Sequence, residues 1–302
     1  MAWGVYKNGN SICKINLDDG TKIRETDDDH WDLEFPESLD LNIGTRCDGG
    51  CPFCYINASP DGIDAELLDV PFIDTLQPYT EVAINGNSVD HPQLIPFLHK
   101  LKDKKILTNI TVNQKHFEQH EDLIWRLSNA GWVKGIGISL VNPTNQFIMK
   151  AMKYPNAVIH TINGILTKED VKKMSDFGLK ILILGYKNLG RGISYNNHYY
   201  QKIADNQIWL YDHLAELPEH FKVVSFDNLA IEQLNVRRIL SDEKWEEVYM
   251  GDEGTASMYV DLVTGKFGVS SLCNESEMLP IMNDIKDMFE VVKRKSSGMK
   301  KR

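Results

Sequence analysis

Nowhere in the 302 residues is there a run of about 20 apolar residues, the length a helix needs to cross a bilayer. The opening Met1-Ala-Trp-Gly-Val-Tyr-Lys lacks the charged-then-apolar plan of a signal peptide. Both absences predict a cytoplasmic protein with no membrane partner. Excess positive charge is also missing: 43 acidic residues face 33 basic ones, a net charge of −10. Phosphate contacts need clustered Lys and Arg, so this balance argues against a nucleic-acid partner. The exception is 293–302, with six basic residues and no acid, which leaves −16 on the rest of the chain. That segment reads as a basic disordered tail. There is no internal repeat, no long low-complexity segment and no Gly-x4-Gly-Lys-Ser/Thr phosphate loop. An apolar share of 42% with 25% charged residues excludes a disordered or coiled-coil chain.

Cysteine is sparse and uneven. Of five, Cys47, Cys51 and Cys54 fall within eight residues, whereas Cys13 and Cys273 are isolated. A reducing compartment disfavours structural disulfides, so a tight group there binds metal or does redox work.

The rest of the chain divides by pattern. Residues 1–38 hold two β-type runs around Asn8-Gly9-Asn10, a hairpin signal, then a turn at Asp18-Asp19-Gly20: a small N-terminal β appendage. Over 39–240, apolar β-branched runs at Leu39–Ile43, Glu81–Ile84, Ile106–Val112, Gly135–Leu140, Ala157–Ile162, Lys180–Gly185 and Val223–Phe226 alternate with helical spacing. The spacing predicts helices at Pro92–Leu101, Glu118–Ala130, Lys168–Phe177 and Tyr199–Leu217, with Asn142 as a candidate cap for another. Such alternation gives parallel βα units. The expected class is α/β, a partial (β/α)6-7 TIM-like barrel; a doubly wound open sheet is the other option. Residues 241–292 read as a C-terminal extension, with a hairpin around Val263-Thr264-Gly265 and a helix over Leu279–Val292.

Directly after the first of these strands comes Cys47-Asp-Gly-Gly-Cys51-Pro-Phe-Cys54-Tyr55. Three thiolates spaced Cys-x3-Cys-x2-Cys can each hold one iron of a cubane cluster and leave the fourth iron open. Gly49 and Gly50 let the backbone fold tightly there, and Arg46 can offset negative charge. A zinc site is the competing reading, with His91 or His99 as a fourth ligand, and it would make the chain an interaction module without catalysis.

The motif, with aromatic Phe53 before the third cysteine and a position after the first barrel strand, resembles that of the radical S-adenosylmethionine (radical SAM) enzymes. The resemblance covers roughly Leu39 to Asp227. It implies a 4Fe–4S cluster on Cys47, Cys51 and Cys54 whose open iron binds the amino and carboxylate groups of SAM. It also implies reductive cleavage of SAM to methionine and a 5′-deoxyadenosyl radical that takes hydrogen from a substrate. An external electron donor such as flavodoxin or ferredoxin is implied as partner.

The family's Gly-Gly-Glu-like segment after the second strand is here Asn85-Gly86-Asn87-Ser88, with one glycine kept and the acid missing. The resemblance places Ser139 at the ribose, and Asn163 with Phe53 and Tyr55 around adenine. Candidate substrate contacts lie at other strand ends: Asn113, Asp227, and Lys187 and Arg191 in the glycine-rich stretch Gly185–Gly192, read as a flexible cationic loop for an anionic group. His116 and His120 read as helix surface, and Cys273 as a buried thiol. The substrate is a small molecule or a peptide, the latter as in maturases and glycyl-radical activases.

Overall fold

The computed structural model describes residues 2–299. Strands β1 (Trp3–Asn8), β2 (Ser11–Asn16) and β3 (Lys22–Glu25) form an antiparallel sheet in that order. Asn8 pairs with Ser11 across a two-residue turn. Gly9 sits there at φ 60°, and an added Cβ would lie 1.7 Å from the Asp32 carbonyl oxygen, so both backbone and space demand glycine.

The main sheet is built from β4 (Ser38–Asn42), β5 (Glu81–Asn85), β6 (Leu107–Asn113), β7 (Gly135–Ser139), β8 (Ala157–Ile162), β9 (Lys180–Leu184) and β10 (Val223–Phe226). These seven lie side by side in chain order, all parallel. A doubly wound sheet reverses its strand order at a switch point; none exists here. Burial alternates along the strands, as in β8, where Ala157, Ile159 and Thr161 are buried and their neighbours half-open. Helices therefore cover one face only, and the other face is the concave interior of a partial barrel. The covered face carries the core: Leu39, Leu41, Val82, Ile84, Ile136, Ile138, Ile159 and Ile181 pack with Phe97, Phe117 and Phe147.

The helices depart from their expected bounds for local reasons. Glu118–Ala130 is two helices, Gln114–Gln119 and Glu121–Asn129, broken at His120. The helix after β7, Asn145–Ala151, is capped by Thr144 and not Asn142, since the Thr144 hydroxyl accepts from the Phe147 amide at 3.2 Å. The helix expected from Tyr199 is preceded by a further helical stretch: Arg191–His213 is helical but broken at Tyr199, where φ −116° and ψ 25° leave the helical region.

The C-terminal region does not stand apart from the barrel. Strand β11 (Ser257–Asp261) pairs parallel with β4, and β12 (Lys266–Gly268) and β13 (Leu279–Pro280) continue the sheet antiparallel. The last helix spans Ile285–Met299. Residues 293–299 are therefore helical, not a disordered tail; Lys293 pairs with Asp32 at 2.9 Å and Lys295 donates to the Glu277 carbonyl. The remainder of the expected tail, 300–302, lies outside the described residues.

One buried ionic group moors the appendage. Glu37, at the entrance to β4, accepts from Arg24 Nε at 2.9 Å and the Cys13 thiol at 3.2 Å, with Lys22 Nζ at 3.3 Å. Lys22 also reaches Glu81 of β5 at 2.7 Å. Burial and the Glu37 charge push the Cys13 thiol up to about 12, so it stays protonated and donates. For Glu37 itself burial works upward, but the Arg24 hydrogen bond and both cations outweigh it and hold the carboxyl below its ordinary value. Glu37→Ala leaves Arg24 buried without its partner and should cost about 3–5 kcal/mol in chemical denaturation. The depressed carboxyl contributes stability that is complete above its ordinary value of 4.5 and is lost as pH falls through the native value. Glu37→Gln should flatten that part of the acid limb of the melting temperature; an unchanged acid limb would refute the mooring.

Candidate active site

Beyond Asn42 the chain leaves β4 and folds into an irregular double strand. The Thr45 amide donates to the Ile63 carbonyl at 2.8 Å, the Cys47 amide to Ser59 at 2.8 Å, and the Ser59 amide to Thr45 at 2.9 Å. Cys47, Cys51 and Cys54 are free, half-buried thiols on this loop. Burial raises the thiols of Cys47 and Cys51, and the neighbouring sulfurs add to it: Cys54 acts on both, and Cys47 on Cys51. Two of the sulfurs already accept hydrogen bonds, Cys47 from the Gly49 amide and Cys51 from the Asn113 amide, each at 3.3 Å.

The stretch 185–192, expected as a flexible cationic loop, is tied by hydrogen bonds to the cysteine loop and to Gln233. Arg191 donates from Nε to the Cys51 carbonyl at 3.1 Å and from a terminal nitrogen to Ala58 at 2.8 Å, while its main-chain amide donates to Cys54 at 3.0 Å. Arg191 is thus a clamp on main-chain carbonyls. A Cβ on Gly190 would lie 2.4 Å from the Tyr55 carbonyl oxygen, so the two backbones meet only because this residue is glycine. Gln233 fixes the stretch from behind, accepting from the Tyr186 amide at 2.9 Å and donating to its carbonyl at 3.0 Å.

At the end of β5, Asn85 continues the strand and Gly86 turns the chain at φ 96°, where a Cβ would come 2.9 Å from the Gly44 carbonyl oxygen. Beside it, Asn42 Oδ1, Asn87 Oδ1 and Ser88 Oγ are buried without a hydrogen-bond partner among the described residues. Buried oxygens are seldom left so. Asn87 and Ser88 follow Gly86 directly, and Asn42 lies beside it on the neighbouring strand β4, paired with Asn85; three such oxygens suit an ammonium group, so the residues present fit the cofactor that the motif implies. Asn163 Oδ1 is orphaned in the same way, while its amide nitrogen donates to Gln233 at 2.9 Å.

Other candidates are placed differently from expectation. Strand register puts Asn113, Ser139 and His160 at one level. Asn113 therefore lies at Cys51 and caps the helix Gln114–Gln119; it is not a substrate contact in this geometry. Asp227 caps Asn228–Leu234 and accepts from the Gly185 and Ala230 amides at 2.8 Å each, a structural use of its carboxylate. Phe53 packs edge-on to Tyr195 at 5.6 Å. Tyr55 lies under Lys187, whose ammonium sits 4.1 Å above the ring and donates to Ser271 at 2.7 Å. Lys187 points inward: burial lowers its pKa against the opposing pull of Asp227, Asp40 and Glu253.

Asp40, Glu253 and His160 escaped the sequence reading. Burial raises the carboxyl of Glu253 and lowers His160 to about 4, so the imidazole is neutral; Asp40 is exposed, and loss of hydration among the surrounding protein groups raises its carboxyl as well. The available signal was a polar residue inside an apolar strand, Leu39-Asp40-Leu41 and Ile159-His160-Thr161.

The competing zinc ligands are engaged elsewhere. His91 bonds the Ala65 carbonyl through Nε2 at 3.0 Å and the Gln93 amide through Nδ1 at 3.1 Å. His99 is exposed and pairs with Asp103. Arg46 is held by Asp64 at 2.7 Å. His116 is buried against Asp48 at 2.6 Å, not helix surface. Cys273 is half-buried on a cavity of about 410 Å³ bounded by Glu253, Leu272 and Ser296, apart from the cysteine loop.

Replacing Arg191 by Met keeps its stem but leaves the Cys51 and Ala58 carbonyls without donors. Second-layer losses of this kind weaken metal retention roughly 10-fold or more. Iron retained after anaerobic loading and desalting should fall accordingly, and Arg191→Lys, with one compact ammonium, should not restore it. Wild-type iron retention in both variants would refute the clamp.

No protein-family model and no curated protein matches the chain. Solved structures do. The chain shares its fold with SuiB from Streptococcus suis. With SuiB bound to S-adenosylmethionine the TM-score is 0.59 at 12% identity, over 95% of this chain and 85% of that one. With SuiB alone it is 0.58 at 12%, over 96% and 86%. With SuiB bound to the precursor peptide SuiA it is 0.53 at 16%, over 85% of this chain and 65% of that chain's length.

Proposed function

We propose that the protein is a radical SAM enzyme acting on a peptide. The observation that carries this is the cysteine loop itself: three free thiols spaced Cys-x3-Cys-x2-Cys after the first barrel strand. Cys47, Cys51 and Cys54 would hold three irons of a 4Fe–4S cluster, leaving the fourth for SAM. Bound there, cluster and SAM supply one-electron reductive cleavage of the sulfonium and hence a hydrogen-abstracting radical.

The chain's own groups have distinct tasks. Asn42, Asn87 and Ser88 offer unpartnered oxygens to the ammonium of SAM, in place of the missing acid. Ser139, level with Asn113 at the strand ends, would meet the ribose. Asn163 and Phe53 would flank the base, the first through its unpartnered oxygen. Lys187, Asp40 and Glu253 form the polar wall on the concave side of the sheet, where the substrate is held. A peptide is compatible with the open sheet, whose order ends at β10 and β13 without closing into a full barrel. The fold neighbour SuiB is known in complex with its precursor peptide, which supports the same reading. The electron comes from a separate protein donor such as flavodoxin or ferredoxin.

Anaerobic reconstitution should give a brown protein with iron and sulfide and no zinc requirement. Dithionite with SAM should release 5′-deoxyadenosine, and Cys→Ala at any of the three positions should abolish it. Zinc without iron, or no 5′-deoxyadenosine, would overturn the radical SAM reading. Peptides encoded beside the gene should change mass in the full reaction. Conversion of small metabolites alone would overturn the peptide assignment.

A further inference from the structure

We propose that Asn113 sets the reduction potential of the cysteine-bound centre, an inference that rests on the radical SAM reading. Asn113 is the last residue of β6 and the cap of the helix that follows. Its Oδ1 accepts from the Lys115 amide at 2.9 Å. That bond fixes the amide's orientation, because a flip would turn two N–H donors against each other. The Nδ2 group is thereby aimed at Cys51 Sγ, 3.3 Å away.

The three sulfurs are not equivalent in this respect. Cys47 takes its donor from the main chain of its own loop, at Gly49. Cys51 takes one from a different strand, through a side chain. No hydrogen bond to the Cys54 sulfur occurs among the described residues. Gly49 lies beside both groups: a Cβ there would stand 3.2 Å from Cys47 Sγ and 3.7 Å from Asn113 Cγ, so the loop backbone packs next to the donor. The geometry is that of a donor locked against a ligand sulfur.

The sign follows from charge. Reduction adds one electron to the cluster, and part of that charge falls on the ligand sulfurs. A hydrogen-bond donor stabilises the more negative state more, and so raises the potential. Removing the donor makes the centre harder to reduce. A carboxylate in its place makes it harder still.

Capping and tuning separate cleanly by substitution. Ser and Asp cap helices as well as Asn does. Asn113→Ser keeps a cap but is too short to reach Cys51, and Asn113→Asp keeps both cap and length but has no donor. Both variants and the wild type are loaded with iron and sulfide anaerobically. They are then poised with dithionite and mediators, without SAM, and the reduced cluster is counted by electron paramagnetic resonance. The expected result is a lower midpoint in both, with Asn113→Asp the lower, and about a 10-fold smaller reduction constant for Asn113→Ser, which is 59 mV for one electron. Melting temperatures of the two should match the wild type. Clusters that load normally with midpoints equal to wild type would overturn the proposal and leave the radical SAM reading intact. A wild type that assembles no cluster would overturn both.

Discussion

Everything at this site depends on holding an irregular loop still. The three cysteines lie on no helix and no strand, so nothing regular fixes their backbone. What fixes it is the convergence of Arg191 and Gly190 on the carbonyls of Cys51, Cys54, Tyr55 and Ala58. A guanidinium is suited to this because its planar fork reaches two acceptors from one rigid group. A glycine is suited because only a missing Cβ lets two backbones touch. Gln233 and Tyr186 then tie the clamp to the barrel wall, so the cysteine loop inherits the rigidity of β9 and β10.

The barrel itself was legible because its physics is local and periodic. Apolar β-branched runs marked the seven strands β4 to β10 to within about a residue, and the cysteine motif was visible as spacing. The extension of the sheet beyond β4 was not legible, since pairing depends on contacts far apart in sequence. The hairpin at Val263-Thr264-Gly265 was read correctly as a hairpin, but nothing local showed that β11 would pair with β4. Side-chain roles failed for a related reason. Arg191 and Asp227 look like ligand residues when only their charge is known. Both turn out to satisfy main-chain groups, which a linear sequence does not display.

The interior has an electrostatic asymmetry. Asp40, Asp227 and Glu253 surround a single lysine, Lys187, and desolvation pushes every one of them toward its neutral form. The ring of Tyr55 under Lys187 supplies a face on which a cation rests without a full counter-ion. Charge on this wall is therefore set first by desolvation and then by the proximity of the four groups to one another.

The partnership of distant segments also orders events in time. Asn42, at the mouth of the cysteine loop, bonds to Asp261, 219 residues later, and Cys51 waits for Arg191, 140 residues later. Contacts of this separation form late, after their loop-closure entropy has been met. A ribosome that has released only the first half of the chain has released every cysteine of the motif and none of its brace. A metal centre on these thiols would therefore find its firm site only on the finished chain, once Arg191 is in place.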